Sequence, residues 1–388
     1  MPSEPRPLKA FSLLGGPLQS LGCKLGLVRS NGNNVAMGIA LGGSVWLLLM
    51  ALALIEQLTP QVLSLSVVGG HVRLLLVIPL LFLCETFFDL HAGRFVRTIV
   101  ESQVVPQPEL PEFYAEISRI TRLQRSWMPD AACLLLAVMM TLLVPTLVLP
   151  GTTTSFHPGH GTGAASLTAG WYWTICLPLF RFLMLRWAWR LALWCYFLWR
   201  VARLKLYLVP SHPDRAAGLG YLEVVHGGFA PLVFAISASV AATFAEGILA
   251  GTVVFTTIYQ VLALLVLVNA VLFLGPLAIF SPSLSRCRLK GMEDYMGLAT
   301  RYVMDFDNKW VRASVRPGEP LLGTQDIQAL SDLGNAMRVV EDTNPFPAGH
   351  RLLVILAVAT LLPMLPLVLF RYPIGEIAEK LLKVVFTL

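Results

Sequence analysis

The chain has 388 residues, of which 56% are hydrophobic and 13% charged, with a formal net charge of +6. Its mean hydropathy of +0.69 excludes an ordinary soluble globular domain and points to a multi-pass membrane protein. The six cysteines (Cys23, Cys84, Cys133, Cys176, Cys195, Cys287) form no CxxC pair, which argues against a disulfide framework and against structural zinc.

A weakly basic leader, 1–34, precedes the first apolar run at 35–55. That run is longer than a signal-peptide core and lacks a small-residue cleavage site, so it reads as a retained first span. Further spans are expected at 72–89, 131–150, 168–188, 229–250, 253–280 and 351–371. The fold class predicted is therefore all-α, polytopic, with seven transmembrane helices, because helices satisfy their own backbone in lipid.

Basic residues set the orientation. With the N-terminus inside, the inner segments carry 25 of the 29 Lys and Arg, and only Arg73, Arg371, Lys380 and Lys383 fall outside. This predicts a cytoplasmic N-terminus and an outward C-terminus in a plasma or bacterial inner membrane. It also places the positive charge against a leaflet, so no nucleic-acid partner is expected.

The inner connections are long and helical in pattern. Residues 107–127 repeat apolar positions at Phe113, Ile117, Ile120 and Leu123, an amphipathic helix within the segment 90–130. Between 283 and 313, Tyr295, Tyr302, Phe306 and Trp310 form an aromatic side. Thr324 is the expected N-cap of a helix striped by Ile327, Leu330, Leu333, Met337 and Val340, stopped by Asn344-Pro345. Four regions result: a cytoplasmic leader (1–34), spans one to six with the helical segment 90–130 and an extension at 189–228 (35–282), a cytoplasmic helical segment (283–350), and span seven with an outer amphipathic helix (351–388).

Six of the nine tryptophans lie between Trp171 and Trp199, threaded with arginines. No helix breaker intervenes between Pro178 and Pro210, so one helix is expected from about Leu167 to Leu208. Arg186, Arg190 and Arg200 share a narrow face with Leu193 and Phe197. That face requires anions. These are headgroups of anionic lipid, with Trp187, Trp189, Trp194 and Trp199 at headgroup level, an anionic ligand at the inner surface, or carboxylates from elsewhere in the chain such as Glu101, Glu112, Glu116, Asp305 or Asp307.

The second charged feature is His212-Pro213-Asp214-Arg215, followed by Gly218 and Gly220. It reads as a tight loop opening a helix with Pro213 in the first turn. There it either holds a phosphate-like anion or pins the loop to the inner layer. Glu85, in the inner half of span two, requires a partner, and Arg181 at similar depth is the expected one. His157 and His160, with Glu56, His71 or Glu246, offer a weak metal set. No metal, cofactor or catalytic residue is assigned, since Walker, Rossmann, HExxH and GxSxG patterns are all absent.

The segment HPDRAAGLGYL after a Trp/Arg-rich helix, together with LLGTQDIQALSDL before the last span, resembles a family of bacterial multi-pass inner-membrane proteins. In plan only, seven spans with long inner ends are similar to insect odorant and gustatory receptor channels. The resemblance implies a membrane location and a topology, not an activity. The function expected is a non-enzymatic ligand- or lipid-responsive channel or receptor, assembled as a homo-oligomer. The alternatives are an enzyme acting on a phosphate-bearing lipid, with His212, Asp214, Arg215, Arg186 and Arg190 in one pocket, and a scaffold for a cytoplasmic protein partner.

Overall fold

The structure, a computed structural model, describes residues 34–143, 166–312 and 325–368. Helices dominate, and there is no strand among the described residues. They are α1 (Val35–Ile55), α2 (Leu65–Glu101), α3 (Leu110–Arg125), α4 (Trp127–Leu143), α5 (167–201), α6 (Tyr221–Leu249), α7 (Thr257–Val311), α8 (Gln325–Glu341) and α9 (His350–Val368).

Five of these (α1, α2, α6, α7 and α9) are long and apolar enough to cross a membrane, and α3 with α4, bent by 46° at Ser126, raises the number to six. The chain is thus built as an integral membrane protein, but seven crossings are not established. The two expected spans that fall short do so for separate reasons. α4 reaches the edge of the described residues at Leu143. α5 carries Arg181, Arg186 and Arg190 among its apolar residues, which lowers its hydropathy. The expected N-cap Thr324, the outer loop with His157 and His160, the leader and the outer amphipathic helix lie outside the described residues.

Small residues let the helices approach. A Cβ on Gly38 of α1 would sit 2.8 Å from the Phe82 ring of α2, and one on Gly42 would run into the Leu74 carbonyl. α6 is the central helix: it packs on α2 and α9, and its alanines and Gly247 face inward. Asn269 of α7 donates to Thr360 of α9 (3.2 Å), joining two helices by the one polar group α9 offers at that depth. Pairing them lowers the cost of burying the Asn269 N–H groups and the Thr360 hydroxyl in hydrocarbon, while Asn269 Oδ1 has no hydrogen-bond partner among the described residues.

The inner layer is formed by α3, the far half of α7, and α8. Phe113, Ile117 and Ile120 of α3 are buried as the periodicity requires, while Leu123 is exposed. α7 runs unbroken from the bundle into the layer. There Tyr302 Oη donates to the Asp326 carbonyl (3.0 Å), and Trp310 Nε1 (3.0 Å) and Lys309 Nζ (2.8 Å) donate to its carboxylate, closing α7 on α8. Of the α8 stripe only Val340 is buried; Leu330, Leu333 and Met337 are half-covered and Ile327 is exposed.

α5 ends at Val201, seven residues short of the expected Leu208. No breaker is responsible. The chain leaves the helix because tertiary partners take its backbone: Tyr207 N–H donates to the Val104 carbonyl (2.8 Å) and Val209 N–H to that of Ala217 (3.3 Å). The segment 202–220 becomes an irregular connector between α5 and α6.

Candidate functional site

Glu85 sits at the centre of a buried charge cluster where α1, α2, α4 and α5 meet. It faces Arg186 (3.3 Å) and Arg190, while Asn34 Nδ2 reaches its other oxygen at 3.4 Å. Arg186 also faces Asp130 at 3.4 Å. The expected pairing with Arg181 is not made. Arg181 instead donates to Thr141 of α4 (2.9 Å). The reason is angular: Arg186 and Arg190 are one turn apart on the face of α5 that looks at α2, and Arg181 looks at α4. Both arginines are 2% exposed, so each needs its carboxylate inside the protein.

The third residue of that face, Arg200, pairs with Glu116 (2.6 Å) and Glu112 (3.4 Å) of α3. Each arginine of the Arg186–Arg190–Arg200 face is therefore paired with carboxylates of this chain, and Arg186 and Arg190 turn into the molecule rather than toward lipid headgroups, although some buried nitrogens of Arg190 have no hydrogen-bond partner among the described residues. The tryptophans follow it. Trp187 Nε1 donates to the Leu81 carbonyl (3.1 Å), and Trp194 is fully buried among Phe88, Phe95 and Phe197. Only Trp199 is exposed, with Arg203 stacked on it at 3.9 Å.

The His212–Arg215 loop is organised by one side chain. The Asp214 carboxylate accepts the backbone N–H groups of Ala216 (2.9 Å), Gly218 (3.1 Å) and Gly220 (2.8 Å), and lies 2.7 Å from His212 Nδ1. Arg215, Ala217 and Gly218 all take positive φ, so the expected helix cannot begin at Pro213 and starts at Tyr221 instead. The amides that would cradle a phosphate are thus already filled by the loop's own anion.

The same connector is fastened to the inner layer. Asn344 N–H donates to the Arg215 carbonyl (2.8 Å), Thr343 Oγ1 to that of Pro210 (2.9 Å), and the Tyr295 and Ser211 hydroxyls are 2.8 Å apart. Gly291 of α7 lies against Pro210, with no room for a Cβ. Arg215 reaches Asp342 only at 3.6 Å, in solvent.

Two networks had no separate expectation from the sequence. In the bundle half away from the inner layer, Arg73 donates to Tyr172 Oη (2.7 Å) and Thr243 Oγ1 (2.9 Å), and Glu246 accepts Gly69 N–H (2.6 Å). At the other end His226, wholly buried, lies 2.6 Å by Nδ1 from the Phe273 carbonyl and accepts Trp194 Nε1–H at 3.2 Å. Pro276, three residues on, has no N–H to offer Phe273, so the imidazole takes that carbonyl. An arginine inside an apolar run, and a histidine four residues before one, were the available signals.

Of the weak metal set, His71 bonds Trp46 (2.8 Å) and the Val62 carbonyl (2.7 Å), and Glu56 caps the start of α5 by accepting Ser166 Oγ (2.7 Å), Leu167 N–H (2.5 Å) and Thr168 N–H (3.1 Å). These bonds hold the Glu56 carboxyl down to about 2.

One cleft remains with free chemistry. It has a volume of about 640 Å³ and opens between α2, α6 and α9 beside the connector, with walls of Phe87, Val224, Pro231, Leu352 and Ile355 and a floor of Gly227 and Gly228. Its polar groups are His91, Glu223 and Arg351, and Gly220 of the Asp214 loop forms one edge. Comparison with known protein families, curated proteins and solved structures finds no match.

Proposed function

We propose that this chain is a non-enzymatic integral-membrane protein of receptor or channel type, responsive to a ligand or lipid, residing as an oligomer in a bacterial inner membrane with its N-terminus cytoplasmic. The observation that carries this reading is the shared edge between cleft and connector. Gly220 lines the cleft while its N–H is held by Asp214, and the adjoining Arg215 carbonyl holds Asn344 at the end of α8. An occupant of the cleft is therefore placed to act on a loop that fastens α8 of the inner layer to the bundle. The enzyme reading loses support because its five residues belong to separate networks, with Arg186 and Arg190 on Glu85 and His212 on Asp214. Long apolar helices, the basic inner segments and the resemblance in plan to receptor channels support the membrane setting.

The test is reconstitution in vesicles of varied lipid composition. Ion flux would be read alongside hydrogen exchange in 283–345. Flux, or exchange protection in that segment that changes with lipid, is expected. Neither changing in any composition would overturn the reading.

A further inference from the structure

The cleft between α2, α6 and α9 contains opposite charges that do not neutralise each other. Glu223 and Arg351 line the same space without forming an ion pair. The Arg351 guanidinium has no hydrogen-bond or ion-pair partner among the described residues. Glu223 spends one oxygen on Gly349 N–H at 3.1 Å, and this contact fixes it against the first turn of α9. His91 lines the cleft as well; its Nδ1 is shut off from solvent, which leaves Nε2 as the nitrogen an occupant can reach.

We propose, resting on the lipid-responsive reading above, that this cleft binds a zwitterionic amphiphile whose head carries a phosphate and a primary ammonium. Arg351 and His91 take the phosphate, Glu223 takes the ammonium, and the chain lies along Phe87, Pro231, Leu352 and Ile355. A purely anionic head would leave Glu223 facing a like charge, and a purely cationic one would leave Arg351 so. A quaternary ammonium has no N–H for Glu223 and needs several aromatic faces, whereas the cleft offers the single ring of Phe87. The volume of about 640 Å³ falls within the range of roughly 300–1,000 Å³ usual for small-molecule sites. The position fits too: Glu223 and Arg351 lie in the first turns of α6 and α9, and His91 follows directly on the apolar stretch of α2.

The floor provides a steric control. A Cβ on Gly227, which lines the cleft, would meet nothing within 4 Å, so Gly227→Leu places its bulk from a Cβ in open space. The full-length protein is reconstituted in phosphatidylcholine vesicles holding a trace of diazirine-tagged phosphatidylethanolamine, phosphatidylglycerol or phosphatidylcholine, and labelled peptides are quantified by mass spectrometry.

Phosphatidylethanolamine is expected to label 87–91, 224–231 and 352–355 in preference to the other two. Gly227→Leu and Arg351→Gln should each lower that labelling about tenfold, the loss of one charge-assisted contact or more. Arg351→Lys, which keeps the charge, retains most of the labelling and separates lost binding from lost folding. Glu223→Gln, whose amide oxygen still accepts Gly349 N–H, should shift the preference toward phosphatidylglycerol. A wild-type preference for phosphatidylglycerol or phosphatidylcholine overturns the proposal, as does labelling unchanged by Gly227→Leu. The labelling reads occupancy alone. A protein that still changes flux or exchange with lipid while its cleft stays unlabelled would sink this site and leave the receptor reading standing.

Discussion

At the scale of single residues, Asp214 and Glu85 are each the central anion of a local structure, Glu85 with Asp130 beside it. Asp214 satisfies three backbone amides in a loop with three positive-φ residues, so Asp214→Asn should destabilise the protein by about 2 kcal/mol. Arg215→Gln, which disturbs only an exposed pair, should change stability by less than about 0.5 kcal/mol. Thermal unfolding in detergent compares the two, and equal effects would contradict the role given to Asp214. Glu85→Gln strands the buried guanidinium of Arg190 and leaves Arg186 with Asp130 alone, and should cost roughly 3–5 kcal/mol. In double-mutant cycles it should couple strongly to Arg190→Gln and add independently to Arg181→Gln, because Arg181 bonds Thr141 instead. Coupling to Arg181 would show that the cluster is wired differently. The need of Glu85 for a positive partner was legible in the sequence. Which arginine supplies it was not, since depth along a span is read from residue number while the facing side depends on how α5 is rotated against α2.

At the scale of elements, the start of α5 has a pH dependence with a definite sign. The Glu56 carboxyl is lowered from 4.5 to about 2 by its bonds to Ser166, Leu167 and Thr168. A lowered carboxylate contributes stability that is fully present above its unfolded value and is lost as pH falls through its folded value. The gap in melting temperature between wild type and Glu56→Gln should therefore be widest above about pH 4.5 and close toward pH 2. A gap that persists at the acid end would rule out the cap. Helix content along α1, α2, α3 and α7 was plain from apolar runs and 3-4 stripes. The end of α5 was not, because residues 202–209 have no breaker and are drawn out of the helix by Val104 and Ala217, which lie far away in sequence or beyond the turn. The same holds for the tryptophans. Their spacing suggests a headgroup belt, yet Trp187 and Trp194 are claimed by the Leu81 carbonyl and His226.

At the scale of the whole molecule, the inner layer is joined to the bundle by α7 running through both, by the pairing of α3 with Arg200 of α5, and by the connector 202–220. Gly291 packs directly on Pro210, so Gly291→Val should part α7 from the connector and expose α8. Limited proteolysis should then cut within 325–345 faster than in wild type, with little change in the helical signal; an unchanged rate would mean that the layer is held elsewhere. Basic residues predict that a reporter fused to the C-terminus reads outside. A cytoplasmic signal would reverse the orientation. The membrane class followed from composition, but the number of crossings did not, because α5 carries arginines within its apolar stretch and is less hydrophobic than the other long helices.

That polarity bears on how the chain is made. A central arginine costs roughly 2.5–3.5 kcal/mol to place in a membrane helix, so α5 is poorly suited to enter lipid unaided. Glu85, Glu112, Glu116 and Asp130 all precede it in the chain. Every carboxylate that α5 uses has already been synthesised when its arginines leave the ribosome. Biogenesis is then sequential, with α2, α3 and α4 waiting as a receptive wall against which the late-coming helix is neutralised. Truncated nascent chains ending after α5 should integrate in wild type and resist alkaline extraction. In the same chains carrying Glu85→Gln and Asp130→Asn, α1 and α2 still hold the chain in the membrane, but a reporter fused after α5 should change sides because α5 is left unembedded; a reporter indifferent to both changes would show that α5 is inserted without its acidic hosts.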